Sequence, residues 1–155
     1  MSKVDHTKYG KYIVTNYLSD EEKIARGRTP DKRQEGVPFG NGLLWLDEKI
    51  VKGAFYMEVL LLEPGSRSTG EWVKPHTHDT DEIIGFVGTS VSDPHSLNGE
   101  VELWLEDEKH DITRSCLVFV PKGLKHCPLV IKRVGTPIVH FSVLTGSQYL
   151  WTFTN

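Results

Sequence analysis

From Leu43 to Leu144 the chain is a succession of short apolar or alternating runs separated by turn residues, a spacing that predicts an antiparallel sandwich or barrel. The predicted strands are Leu43 to Leu46, Ala54 to Leu62, Glu82 to Val87, Glu100 to Leu105, Cys116 to Val120, Leu129 to Arg133 and Ile138 to Leu144. Glu63-Pro64-Gly65, Gly88 to Gly99, Glu106 to Asp111, Pro121-Lys122-Gly123 and Gly135-Thr136-Pro137 supply turn and loop chemistry between them. Upstream, Ser19-Asp20-Glu21-Glu22 is a capping-box pattern that starts a short helix running to Gly27. Thr29 to Gly42 concentrates Pro, Gly and charge and reads as a surface loop. The pattern is all-β: an N-terminal arm with a short helix over residues 1–42, then one antiparallel domain, sandwich or barrel, over 43–155.

A chain of 155 residues supplies the core of one ordinary domain. With 38% hydrophobic and 25% charged residues it suits a soluble globule and not a disordered segment. The formal net charge of −3 gives no electrostatic warrant for nucleic acid or an anionic membrane as partner, which leaves a small molecule as the expected one. Two cysteines cannot build a disulfide scaffold, and the opening MSKVDHTKYGKY lacks the apolar stretch of a signal peptide, so a cytoplasmic location is expected. No apolar run is long enough to span a bilayer. The unusual residue is histidine, seven against two Cys and two Met.

The informative stretch runs from Gly70 to Glu82, GEWVKPHTHDTDE. Residues i and i+2 of a strand share a face, so His76 and His78 present two imidazoles to one point, and Glu82 has the same parity. If the backbone stays extended or makes only a small bulge, the Glu82 carboxylate joins them as an oxygen ligand for a first-row metal. His126 follows the Pro121 to Gly123 turn at a strand start, a rigid place from which to reach a neighbouring strand's ligands. Three His and one Glu leave positions open on an octahedral ion. Without a metal, the same residues are polar cavity walls that bind a ligand directly.

The remaining candidates divide by context. His6, His95 and His110 lie in Asp-, Ser- and Glu-rich loop sequence and are expected in solvent, whereas His140, inside a predicted strand, is expected as core or as cavity wall, either behind the ligands or in contact with substrate. Cys116 and Cys127 are expected as small buried hydrophobes, with Cys127 facing away from the side that His126 faces. Asp79 and Asp81 alternate with the ligand parity and face outward. Trp45, Phe55, Met57, Trp104, Phe119 and Phe141 are expected in the core, with Trp104 and Phe141 candidates for the pocket wall. Arg67, Lys74 and Lys125 flank the motifs, either on the solvated surface or holding a substrate's carboxylate or enolate.

Gly70, five residues, His76-x-His78, three residues and Glu82 form a pattern that resembles the first motif of the cupin superfamily, and Pro121-x-Gly123-x-x-His126 resembles the second. The resemblance spans about Glu58 to Leu144. It departs at Gly88, one position early, with Thr89 in the expected place, and at Ser115 and Val130, which stand for Gly and Asn. It implies a single cupin-type antiparallel β-barrel (jelly roll) and often a homodimer. It further implies one divalent transition metal ion, Fe(II), Mn, Ni or Zn, held inside one end by His76, His78, Glu82 and His126. The long Gly88 to Gly99 segment is an elaboration expected over the barrel mouth.

The implied function is a metal-dependent enzyme acting on a small oxygenated enol, keto or hydroxy-acid substrate, with dioxygenase chemistry as the leading reading. With a redox-silent ion the same site would serve an isomerase, decarboxylase or lyase, with Glu82 as its catalytic base. A non-enzymatic, small-ligand-binding cupin is the alternative from another class.

Overall fold

The structure is a computed structural model that describes residues 7–28, 40–146 and 152–153. His6 and most of the Thr29 to Gly42 loop lie outside the described residues. The strands are Gly40–Leu46 (β1), Tyr56–Leu62 (β2), His76–Thr77 (β3), Glu82–Gly88 (β4), Ser96–Leu105 (β5), Glu108–Arg114 (β6), Cys116–Val120 (β7), His126–Val134 (β8), Ile138–Leu144 (β9) and Thr152–Phe153 (β10). They form two antiparallel five-stranded sheets, ordered β1-β2-β9-β4-β7 and β10-β3-β8-β5-β6. The fold is an all-β jelly-roll barrel with a short N-terminal helix, α1, at Asp20–Ala25. Among the described residues no helix is long and apolar enough to cross a membrane.

Alternation decides what lies inside. On β2 Tyr56, Glu58, Leu60 and Leu62 are buried; on β5 Leu97, Val101 and Leu103; on β9 Ile138, His140 and Leu144. Leu62, Ile84, Phe86, Val101, Leu129 and Ile138 belong to one packed core between the sheets. β7 and β9 have the bounds that periodicity predicts, while β1 and β5 begin earlier, at Gly40 and Ser96. Strand β6 occupies most of the Glu106 to Asp111 segment expected as a turn, leaving Glu106 (φ +51°) and Asp107 as the turn itself. It was illegible because it is an edge strand, pairing with β5 alone, and its sequence EKHDITR has no continuous apolar face.

The segment expected over the barrel mouth sits elsewhere. Glu82 and Gly88 are the two ends of β4, about 20 Å apart at the usual rise, so the loop after Gly88 is at the far end of the barrel from Glu82. Ser115 laces it down: its hydroxyl accepts from the Gly88 amide at 2.9 Å and donates to the Pro94 carbonyl at 2.7 Å. Gly88 also passes so close to Ser96 that a Cβ there would stand 2.0 Å from the Ser96 carbonyl oxygen. The two departures from the motifs at Gly88 and Ser115 are therefore partners of each other.

Of the six large residues expected in the core, Trp45 is buried, but Phe55 and Phe119 are 55% and 60% exposed. By register Met57, Phe141 and Phe119 face outward on the first sheet, with the Phe141 ring over Gly85. Trp104 faces outward on the second sheet, where its indole donates to Glu102 at 2.8 Å. The first sheet is apolar on both faces, so hydrophobicity alone could not tell inside from outside; strand parity does.

Helix α1 opens with the expected capping box, Ser19 accepting from the Glu22 amide and Glu22 from the Ser19 amide. The arm lies on its own barrel. The Trp45 amide donates to the Asn16 carbonyl at 3.0 Å, Arg26 pairs with Asp47 at 2.8 Å, and the Tyr17 ring covers Gly42, where a Cβ would be 2.2 Å from it.

Candidate metal centre

His76 and His126 are directly opposed partners of β3 and β8, and Glu82 begins β4. The Pro121 to Gly123 turn is braced against the loop that carries His78. Gly123, at φ +81°, donates its amide to the His78 carbonyl at 3.0 Å, and the Lys122 amide donates to the Asp81 carboxylate at 2.8 Å. Asp81, expected only to face outward, is thus a brace between the two motif loops. Asp79 is exposed and pairs with the Lys122 ammonium at 2.9 Å.

One ligand atom from each of His76, His78, Glu82 and His126 lies within 4.8 Å of the others, and all four residues are buried. His76 Nδ1 is 2.6 Å from the Lys74 carbonyl and His126 Nδ1 is 3.0 Å from the Leu124 carbonyl. A carbonyl only accepts, so each Nδ1 carries a proton and each ring turns its Nε2 inward. His76 Nε2 stands 3.1 Å from His78 Nε2, and Glu82 Oε2 stands 3.1 Å from His78 Nε2 and 2.8 Å from His126 Nε2. Glu82 Oε2 and His126 Nε2 are buried without a hydrogen-bond partner. Ligand atoms crowded this closely, two of them unpartnered, fit a cation, and three imidazole nitrogens with one carboxylate oxygen suit a first-row transition ion.

The electrostatics hold His76 and Glu82 in their metal-binding forms. Burial, with repulsion from His126 and His78, pushes His76 down to about 4. Burial alone would raise Glu82, but the neighbouring His126 and His78 rings and the Ser142 hydroxyl overrule it and hold the carboxyl down to about 2. Ser142 donates to Glu82 Oε1, which leaves Oε2 to point at the histidines.

A cavity of about 380 Å³ adjoins the cluster. His140, Lys74 and Ser142 line it beside apolar Leu60, Trp72 and Ile84. Of the residues expected near the pocket, Trp104, Phe141 and Lys125 are not among its lining; the Lys125 amide instead donates to Glu106 at 2.8 Å. Arg67 and His95 are exposed, while His110 is half-buried on β6.

Cys127 corrects a parity argument, because it lines the cavity together with His126. Two steps of β5, Leu103 to Leu105, face three steps of β8, Leu129 to His126, so a bulge breaks the alternation there. Cys127 sits in it at φ +68°, before a cis bond to Pro128. Both cysteines are free, and burial pushes both thiols up, away from the thiolate form a metal would need.

Sequence reasoning missed Ser142 and a second buried carboxylate, Glu58. Glu58 accepts from the Tyr56 hydroxyl at 2.6 Å, from the Tyr17 hydroxyl and from Arg28 at 3.2 Å, and Arg28 also lies 4.9 Å from the Trp45 ring. Burial pushes its pKa up, but the Arg28 charge and the tyrosine hydroxyls win and keep it ionised. Its parity with Tyr56, Leu60 and Leu62 was the available signal: a charge in the inward-facing set of a strand.

No protein-family model matches the chain, and no curated relative matches it. Solved structures do resemble it at low identity. Oxalate decarboxylase from Bacillus subtilis is 16% identical over 79% of this chain and 29% of its own, with a TM-score of 0.48. A conserved protein with a double-stranded β-helix domain from Klebsiella pneumoniae is 13% identical over 91% of this chain and 98% of its own, with a TM-score of 0.47. A cupin superfamily protein from Desulfitobacterium hafniense is 12% identical over 74% and 82%, with a TM-score of 0.44. The chain spans less than a third of the oxalate decarboxylase length.

Proposed function

We propose that this protein is a metal-dependent enzyme acting on a small oxygenated substrate, an enol, keto acid or hydroxy acid, with His76, His78, Glu82 and His126 as the metal ligands. The observation that carries the reading is the set of buried ligand atoms, Glu82 Oε2 and His126 Nε2 among them without a hydrogen-bond partner, that face one another beside a cavity. An ion held there supplies a Lewis acid with positions open to substrate oxygens and, as Fe(II), the electrons for dioxygenase chemistry. The chain's own residues do the rest. Ser142 fixes the Glu82 carboxylate, Leu60, Trp72 and Ile84 keep water from the bound substrate, and Lys74 at the cavity edge attracts an anionic group.

Glu82, held ionised, serves better as a ligand than as a proton acceptor at neutral pH. That favours the dioxygenase reading over an isomerase, decarboxylase or lyase in which Glu82 is the base. Two free thiols suit a reducing cytoplasm. The outer face of the first sheet, with Leu117 68% and Phe119 60% exposed beside Ile83 and Val87, supports a homodimer built on that face.

Metal analysis of protein purified without added metal is the first test. The native chain is expected to carry a divalent transition ion near one equivalent, and His78→Ala to lose most of it; undiminished metal in the variant would overturn the ligand assignment. Oxygen uptake with enols and hydroxy acids then separates dioxygenase chemistry from turnover that persists without oxygen.

A further inference from the structure

His140 is a polar side chain set between apolar Leu60 and Phe86 of the neighbouring strands, and one of its two ring nitrogens has no hydrogen bond among the described residues. It is 7% exposed, stacks on Phe86 at 4.6 Å between ring centres and meets the Trp72 ring edge-on at 5.5 Å. Its Nδ1 is 3.0 Å from the Gly85 carbonyl, so Nδ1 carries the proton. Nε2 is then an acceptor, and the Gly85 bond through Nδ1 is the ring's one hydrogen bond among the described residues. Nε2 is not sealed in as Glu82 Oε2 and His126 Nε2 are, which leaves it open to the cavity as an unused acceptor. The ring lines the same cavity as the metal cluster.

The surroundings keep it in that form. Burial pushes the His140 pKa down; the Gly85 carbonyl and the charges of Glu58 and Glu82 oppose this and do not overcome it. Along β9, His140 lies two residues beyond Ser142, which bonds Glu82, so its Cα stands about 7 Å further along the strand.

From this geometry we infer that His140 is a recognition residue that accepts a hydrogen bond from a hydroxyl on the substrate, at a carbon beyond the atoms that bind the metal. The substrate class narrows accordingly, from any chelating oxygenated acid to one that also carries a hydroxyl donor at its far end. This inference rests on the metal-centre reading above.

The test compares glycerate with lactate, which share the carboxylate and 2-hydroxyl but differ in the 3-hydroxyl, by calorimetric titration of zinc-loaded protein. The native chain is expected to bind glycerate about tenfold more tightly than lactate. His140→Phe should lose that preference while keeping its zinc and its lactate affinity, and His140→Gln, which restores an acceptor, should recover part of it. Equal binding of the two acids by the native protein, or a preference that survives in His140→Phe, overturns the inference. Nitrogen-15 NMR of the imidazoles supplies a measurement free of any variant: the His140 ring should be neutral with its proton on Nδ1, and a proton on Nε2 overturns it. Failure of the metal reading is distinct, because it appears as native protein that takes up no zinc.

Discussion

Ser142 shows how much one inward hydroxyl can decide. A carboxylate beside three imidazoles could turn either oxygen, or both, toward them; the Ser142 bond occupies Oε1 and aims Oε2 at His78 and His126. Residues that orient ligands from behind typically govern metal affinity by about 10–100-fold. Ser142→Ala is expected to weaken metal binding within that range in a chelator competition titration, with Ser142→Thr close to native. Unchanged affinity in Ser142→Ala would show that the bond orients nothing. The four ligand candidates were legible because spacing and strand parity act locally. Ser142 was not, because its partner is 60 residues away in sequence and meets it only through the pairing of β4 with β9.

At the scale of elements, the arm is fastened to β1 and the turn after it through Asp47. Its buried carboxylate accepts from Arg26 at 2.8 Å, from the Trp45 indole at 2.9 Å and from the Lys49 and Ile50 amides at 3.0 Å each. Burial alone would raise its pKa, but Arg26 and the Trp45 indole lower it, so the group is ionised in the fold. Asp47→Ala leaves these donors unanswered and is expected to cost about 2–4 kcal/mol in urea unfolding. A change below about half a kcal/mol would mean that the arm is held by its tyrosine packing instead. The helix of the arm was readable from Ser19 and Glu22, because a capping box closes within one turn. Its docking site was not, since Arg26 and Asp47 meet only in the folded chain.

At the scale of the molecule, the two sheets differ on their outer faces. The second carries Glu102, Trp104 and Lys132, with Lys132 paired to Glu102 at 2.8 Å, whereas the first exposes Ile83, Val87, Leu117 and Phe119. An antiparallel sheet with one solvated face ordinarily alternates apolar-in and polar-out, so a second copy of the chain is the expected cover. Light scattering should give twice the 17.6 kDa chain mass for the native protein and a monomer for Phe119→Asp combined with Leu117→Asp, with an unchanged far-ultraviolet spectrum. A native monomer at micromolar concentration would sink the dimer.

The sequence by itself determined the all-β class, most of the sheet strands, the capped helix and the four converging donors, since each is written in a period or a spacing of a few residues. Only the tertiary structure decided that Glu58 and Arg28 meet at the cavity, that Cys127 shares a side with His126, that Phe119 faces outward and that the Gly88 to Gly99 loop lies far from the site. The reason is physical: side-chain parity within a strand is local, but which face is inside, where a bulge resets the parity and which ends of the strands meet are properties of how two sheets close around one core.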